Sequence, residues 1–175
     1  MKKEIMDIFK YVVAAIVLAF LIITFVFETV SVSGPSMFPT LHDGDRLIVE
    51  KVTYYFRKPK PLDIVVVKNP ANTKEKYIKR VIAVAGDKFK IENHKVFVNG
   101  KELDEPYINE VMNAEIDKKY VNEITIHKGT IFVMGDNRNN SLDSRFNPPV
   151  GPIPYNLVVG RAAFRLYPFS RFGKL

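Results

Sequence analysis

Three stretches of the chain collect residue types that can do chemistry. The first is Ser33-Gly34-Pro35-Ser36-Met37-Phe38-Pro39-Thr40, where a glycine and two prolines surround one serine. Glycine admits left-handed backbone and proline fixes φ, so such a segment can hold its serine in one conformation. A hydroxyl nucleophile needs that fixity, with backbone N–H groups nearby for a developing oxyanion. The same composition also suits a plain turn in which Ser36 bonds its own backbone. There is no G-x-S-x-G, so the nucleophile elbow of the α/β hydrolases is not supported.

A serine hydroxyl needs a base. The three histidines, His42, His94 and His127, lie in polar surroundings without a motif and read as surface residues. Lys79 stands out among the lysines because it interrupts the strand-like run Tyr77-Ile78-Lys79-Arg80-Val81-Ile82-Ala83-Val84. Alternation predicts Tyr77, Lys79 and Val81 on one face and Ile78, Arg80 and Ile82 on the other. Burial there would disfavour the ammonium form and bring the pKa down from about 10.4, leaving an amine able to accept a proton. An edge-strand lysine reaching out to water is the other reading. The third stretch, Met134 to Arg145, packs Asp136, Asn137, Arg138, Ser141, Asp143 and Arg145 into one loop after an apolar run. It is either a solvated strand connection or an ion-paired scaffold with a hydroxyl to orient a base.

The elements that would position these stretches are short. Runs rich in Val, Ile, Phe and Tyr recur at Arg46–Lys51, Leu62–Lys68, Tyr77–Ala85, Lys88–Ile91, Lys95–Val98, Thr130–Met134 and Leu157–Tyr167. Turn residues separate them, and Asn99-Gly100 predicts a type I′ hairpin turn. The fold expected beyond residue 31 is all-β and antiparallel, barrel- or sandwich-like, with Asp104–Glu123 as a loop or peripheral insertion.

Ahead of it, Tyr11 to Phe27 carries no charge over 17 residues. As a helix that run covers roughly 25 Å, the short end of a membrane span. The expected organisation is a cytoplasmic segment over 1–10, a transmembrane anchor over 11–30 and an extracytoplasmic domain over 31–175. Lys2, Lys3 and Lys10 before the run keep the N-terminus inside by the positive-inside rule. A cleavable leader ending at Ser31-Val32-Ser33 competes with the anchor, although the apolar run exceeds the usual leader core. Both readings export the remainder.

Composition narrows the chemistry. With no cysteine in 175 residues there is no disulfide, thiol nucleophile or iron–sulfur cluster. The net charge of +7 falls entirely on residues 34–175. No nucleic-acid module accompanies it, so no nucleic-acid partner is expected.

Taken in order, the apolar run, Ser33 to Thr40, Gly44-Asp45-Arg46, Tyr77 to Arg80, and Gly135-Asp136-Asn137-Arg138 through Ser141 to Arg145 resemble the bacterial type I signal peptidases, in the short single-span form of Gram-positive bacteria. The resemblance covers nearly the whole chain. It implies a membrane-bound serine endopeptidase that removes signal peptides from exported pre-proteins after small-x-small sites such as Ala-x-Ala. Ser36 would be the nucleophile, Lys79 the general base and Ser141 the residue orienting the amine. Arg80 with Asp136, and Asp143 with Arg145, would be structural ion pairs. Val32, Met37, Leu41, Tyr77 and Ile78 would line the substrate pocket, with the substrate bound as an extended strand. No metal or cofactor is implied. The partners would be signal peptides, the lipid bilayer and the export machinery. One position departs from the pattern, since Gly34 stands where some relatives carry a serine that helps bind the oxyanion.

Overall fold

A computed structural model describes residues 2–113 and 122–175, with side chains for all of these except residues 2 and 22–24. The part of the expected insertion over residues 114–121 lies outside the described residues, as does Met1.

The chain begins with helix α1 (Lys2–Val26) and passes directly into strand β1 (Phe27–Ser31). Among the described residues no helix is long and apolar enough to cross a membrane. Two features separate α1 from the expected span over 11–30. Lys3, Glu4, Asp7 and Lys10 lie inside the helix, and its end at Val26 gives residues 27–30 to the sheet. Even so, α1 exposes Ile8, Phe9, Tyr11, Ile16, Leu18 and Phe20.

The remainder is almost wholly antiparallel β, as the short Val- and Ile-rich runs require. The main sheet contains β1, β2 (Arg46–Glu50), β3 (Ile64–Asn69), β4 (Asn72–Val84), β9 (Thr130–Met134), β10 (Ile153–Pro154), β11 (Val158–Tyr167) and β12 (Gly173–Lys174). Its order is β1-β2-β11-β3-β4-β9-β10, with β12 beside β11. A second sheet, ordered β7-β6-β5-β8, comprises β5 (Lys88–Glu92), β6 (Lys95–Val98), β7 (Lys101–Glu102) and β8 (Ile124–Thr125). Asn99 and Gly100 both take positive φ, 53° and 75°, between β6 and β7, the two-residue hairpin turn that Asn-Gly favours. A one-turn helix, α2 (Thr53–Phe56), follows β2.

The apolar residues sort into three clusters. Ile82, Phe89, Ile91, Phe132 and Met134 join the two sheets. Val65, Val67, Val81, Ile131, Val133 and Ile153 fill one side of the main sheet. Val32, Met37, Leu41, Leu47, Ile64 and Ala162 lie under the Ser36 turn. The main sheet curls until β1 and β4, separated in the strand order by β2, β11 and β3, face each other across a cleft. Lys76 on β4 closes one end of that cleft with an ion pair to Glu28 on β1.

Close approach of β11 to β2 depends on Gly160, where a Cβ would overlap the Glu50 carbonyl and the Val49 side chain. Gly160→Ala should therefore cost about 1–3 kcal/mol by overpacking. Urea unfolding of the solubilised protein measures it, and an unchanged midpoint would show that the strands can part freely.

Candidate active site

Ser36 sits in the turn that leaves β1, and the backbone there is pinned from several sides. Gly34 adopts φ +82°, and its N–H donates to Asp43 Oδ1 at 2.7 Å. Val32 N–H donates to the Asp45 carbonyl, and Gly44 N–H returns a bond to the Val32 carbonyl. Asp45, 1% exposed, accepts from the His42 N–H and from Arg171 and Arg165. From the far side of the cleft, Asn137 clamps the same turn. Its backbone N–H donates to the Ser36 carbonyl at 3.1 Å, and its side-chain amide donates to the Pro35 carbonyl at 3.1 Å.

Lys79 comes from β4 and is 3% exposed. Its Nζ lies 2.7 Å from Ser36 Oγ and 5.5 Å from the Tyr77 ring centre, so the two side chains share a face as alternation predicts. Burial strips water from the ammonium form and lowers the Lys79 pKa to about 8. Asp143 and Asp136 pull it back up, and Arg145 adds to the lowering.

The loop after β9 supplies the remaining charges as closed pairs. Asp136 receives Arg80 Nε at 2.8 Å and Arg80 Nη2 at 2.7 Å, with Thr40 Oγ1 as a further donor at 2.5 Å. Asp143 receives Arg145 Nε and Nη2, each at 2.8 Å, and the Gly135 N–H at 2.9 Å. Ser141 Oγ donates to Asp143 Oδ2 at 2.7 Å. Ser141 and the Lys79 amine do not share a hydrogen bond; the hydroxyl proton goes to that carboxylate instead. Ser141 nonetheless stands beside the Ser36 turn. A Cβ on Gly135 would collide with both the Ser141 side chain and the Ser36 carbonyl oxygen, which leaves glycine as the residue that fits between them.

A pocket of about 90 Å³ opens at the pair, lined by residues 30–33, Ser36 and Met37 on one side and 76–79 on the other. Val32, Met37, Tyr77 and Ile78 belong to its wall. Leu41 does not; it is fully buried in the cluster beneath the turn, where its contribution is to packing. Side chains from both faces of β4 reach this one pocket, so it runs along the edge of the strand rather than over a face. That edge is free, since β9 pairs with β4 only from Arg80 onward. β1 is likewise paired on one side alone, with β2. The histidines stay out of the pocket; His42 packs edge-on against Phe38, and His94 and His127 are exposed.

Sequence reasoning left Thr40, Asn137 and the Glu105–Arg138 pair without a role. Arg138 is 1% exposed and forms a two-pronged bond to Glu105 in the segment after β7, and Tyr107 stacks 4.0 Å from the Arg80 guanidinium. Thr40 and Asn137 stand inside the very motifs that were singled out. The available signal was that a buried aspartate and a strained turn each need donors beyond an arginine.

A hydroxyl and a desolvated amine at hydrogen-bond distance, opening on a groove between two strand edges, form a site on an antiparallel β scaffold that is chemically able to support amine-assisted attack by a serine. Comparison with known proteins identifies the family. The family model described as signal peptidase, peptidase S26, matches residues 5–167, and the chain belongs to this family of peptidases. Signal peptidase I T of Bacillus subtilis (strain 168) is 40% identical over 168 residues, covering 92% of this chain and 84% of that protein. Signal peptidase IB of Staphylococcus aureus (strain COL) is 36% identical over 185 residues, covering 98% and 94%. A solved signal peptidase I from Enterococcus faecalis V583 aligns at 27% identity and a TM-score of 0.49, over 60% of this chain and 97% of that one. Family membership rests on the sequence matches rather than on that superposition.

Asp143 gathers Ser141, the Gly135 amide and Arg145 on one carboxylate, and it is fully buried. Removing it takes a two-pronged carboxylate partner from a buried guanidinium, so Asp143→Ala should lose about 3–5 kcal/mol of stability. Denaturant unfolding checks this, and a loss under 1 kcal/mol would mean that the loop stands without its carboxylate.

Proposed function

We propose that this chain is a membrane-anchored endopeptidase that removes N-terminal signal peptides from exported pre-proteins, with Ser36 as nucleophile and neutral Lys79 as general base. The observation that carries this reading is the 2.7 Å approach of Lys79 Nζ to Ser36 Oγ at the floor of the cleft. In the neutral state the amine accepts the hydroxyl proton as Ser36 Oγ attacks the scissile carbonyl. The Ser36 N–H has no acceptor among the described residues and faces no competitor for the oxyanion. The resulting ammonium then protonates the leaving amine, and water clears the acyl-enzyme by the same proton path in reverse.

Substrate geometry follows from the two free edges. An extended peptide laid between β1 and β4 can bond its backbone to either, while shallow subsites read alternate side chains. A pocket of about 90 Å³ walled by Val32, Met37 and Ile78 suits small apolar groups, which supports cleavage after Ala-x-Ala. Arg80–Asp136 and Asp143–Arg145 act as the fixed frame of the site, with Ser141 holding the loop through Asp143.

For the anchor, the support is the uncharged run from Tyr11 to Phe27 and the exposed apolar surface of α1. On this reading α1 places the β domain at the outer membrane face, where pre-proteins emerge from the export machinery.

Detergent-solubilised protein should convert a pre-protein with an Ala-x-Ala signal end to its mature N-terminus. Ser36→Ala and Lys79→Ala should each lower kcat/KM by at least about a thousandfold while remaining folded. Equal cutting by all three proteins would place the site elsewhere.

The pH profile tests the base separately. With the amine at about 8, kcat/KM should rise roughly tenfold per pH unit below about 7 and level off above pH 8. A profile flat from pH 5 to 9 would exclude an amine base.

A further inference from the structure

The groove between β1 and β4 ends in a charge pair that the chemistry just described does not use. Lys76 lies on the same face of β4 as Ile78, which packs against the Val32–Met37 cluster, and it reaches across to β1. Lys76 Nζ meets Glu28 Oε1 at 2.5 Å, with side chains 38% and 30% exposed. An ion pair that open to water contributes little to stability, and each strand is held by other neighbours. Its placement is more telling than its strength. It joins the two free edges directly over the path that an extended substrate would take. The hairpin's acidic residue, Glu75, is engaged locally with Asn69 and Asn72 and does not compete for Lys76.

Distance along the strand says which substrate residue meets the pair. Lys76 is three residues from Lys79, roughly 10 Å at the strand rise. A peptide whose scissile carbonyl stands at Ser36 Oγ therefore brings about its fourth to sixth residue on one side between Glu28 and Lys76. That side is the amino side on the anchored reading, because β1 runs from the end of α1 through Glu28 towards Ser36.

We infer that Glu28 and Lys76 form a charge-reading subsite for substrate residues upstream of the small-x-small motif, an inference that rests on the peptidase reading of the same cleft. In the intact pair the two charges satisfy each other. An acidic substrate residue can win Lys76 only by displacing Glu28, and a basic one can win Glu28 only by displacing Lys76. The enzyme is then indifferent to the sign of charge at that point. Removing one partner leaves the other to select its opposite.

The test uses the full-length solubilised protein, Glu28→Gln and Lys76→Met. The substrates are peptides ending their signal in Ala-x-Ala, with Ala, Asp or Lys placed singly at the fourth, fifth or sixth residue before the cut. The readout is the ratio of kcat/KM for the Asp and Lys peptides within each enzyme, which cancels differences in folding or basal rate. Glu28→Gln should raise that ratio about two- to fivefold over the parent, and Lys76→Met should lower it by a similar factor, both effects shrinking in high salt. The same ratio in all three enzymes at every position overturns the subsite. Failure of the parent to cut even the Ala peptide is a different result, with no ratio to measure, and it overturns the peptidase reading together with the subsite.

Discussion

An ammonium group held at 3% exposure has lost nearly all its hydration, and a protein can answer that cost by pairing the charge or by letting it go. Around Lys79 the structure favours letting it go. Two carboxylates lie near enough to stabilise the charge, Asp143 and Asp136, and each raises the lysine pKa. Each is already committed to a guanidinium, Asp143 to Arg145 and Asp136 to Arg80. A carboxylate with its own cation presents a much weaker field to a third group, so desolvation prevails and the amine titrates at about 8. The ion pairs thus set the protonation of Lys79 as much as its burial does. They allow a buried strand to carry a lysine without fixing its proton.

The same constraint shapes the sheet. A desolvated amine is fixed by its backbone, and Lys79 is fixed in β4 where β3 flanks it on one side. The other side stays open to the Ser36 hydroxyl, which means an unpaired strand edge. Two such edges face each other here, and exposed edges invite unwanted pairing between chains. Charge guards them: Lys74 and Lys76 on β4 and Glu28 on β1 stand along the open stretch. The Ser36 turn completes the floor, and its closeness to the Asp136 loop is possible because residue 135 has no side chain.

Much of this was legible in residue types and their order. The period-2 runs mark nearly every long strand, and Lys79 is conspicuous as a charge among Ile and Val. The two-residue strands β7, β8, β10 and β12 are too short to show a period, and two longer strand segments escaped for physical reasons. β1 reads as the tail of an apolar helix because Phe27, Thr29, Val30 and Ser31 suit either state, and only pairing with Arg46–Glu50 decides between them. The first half of β4, Asn72 to Lys76, is polar on both faces because it borders an open groove, so alternation gives no sign of it. In the site, the pairing of arginines with aspartates could not be read from one loop, because Arg80 reaches Asp136 across 56 positions. Leu41 is expected in the pocket from the resemblance alone, and sequence position cannot show that this fully buried leucine packs in the cluster beneath the turn. Ser141 is expected beside the amine from the resemblance, and one residue's hydroxyl cannot reveal that its proton goes to Asp143.

The junction of α1 with β1 ties the position of the whole domain to the position of Ser36. No linker separates them: the helix ends at Val26, pairing with β2 begins at Phe27, and the Lys51 N–H donates to the Val26 carbonyl. β1 spans five residues, roughly 17 Å at the strand rise, and Ser36 follows one turn later. A flexible tether would let the domain tumble and would leave the cleft at a variable height. A helix fused to an edge strand cannot do so, because tilting it drags one wall of the groove. On the anchored reading, the end of the cleft marked by Glu28 faces the membrane and the Ser36 end faces away. A substrate that leaves the bilayer as an extended chain then meets the charge pair first, the small apolar subsites next and the hydroxyl last. Order along the groove is set by strand direction, and strand direction is set by where the helix ends.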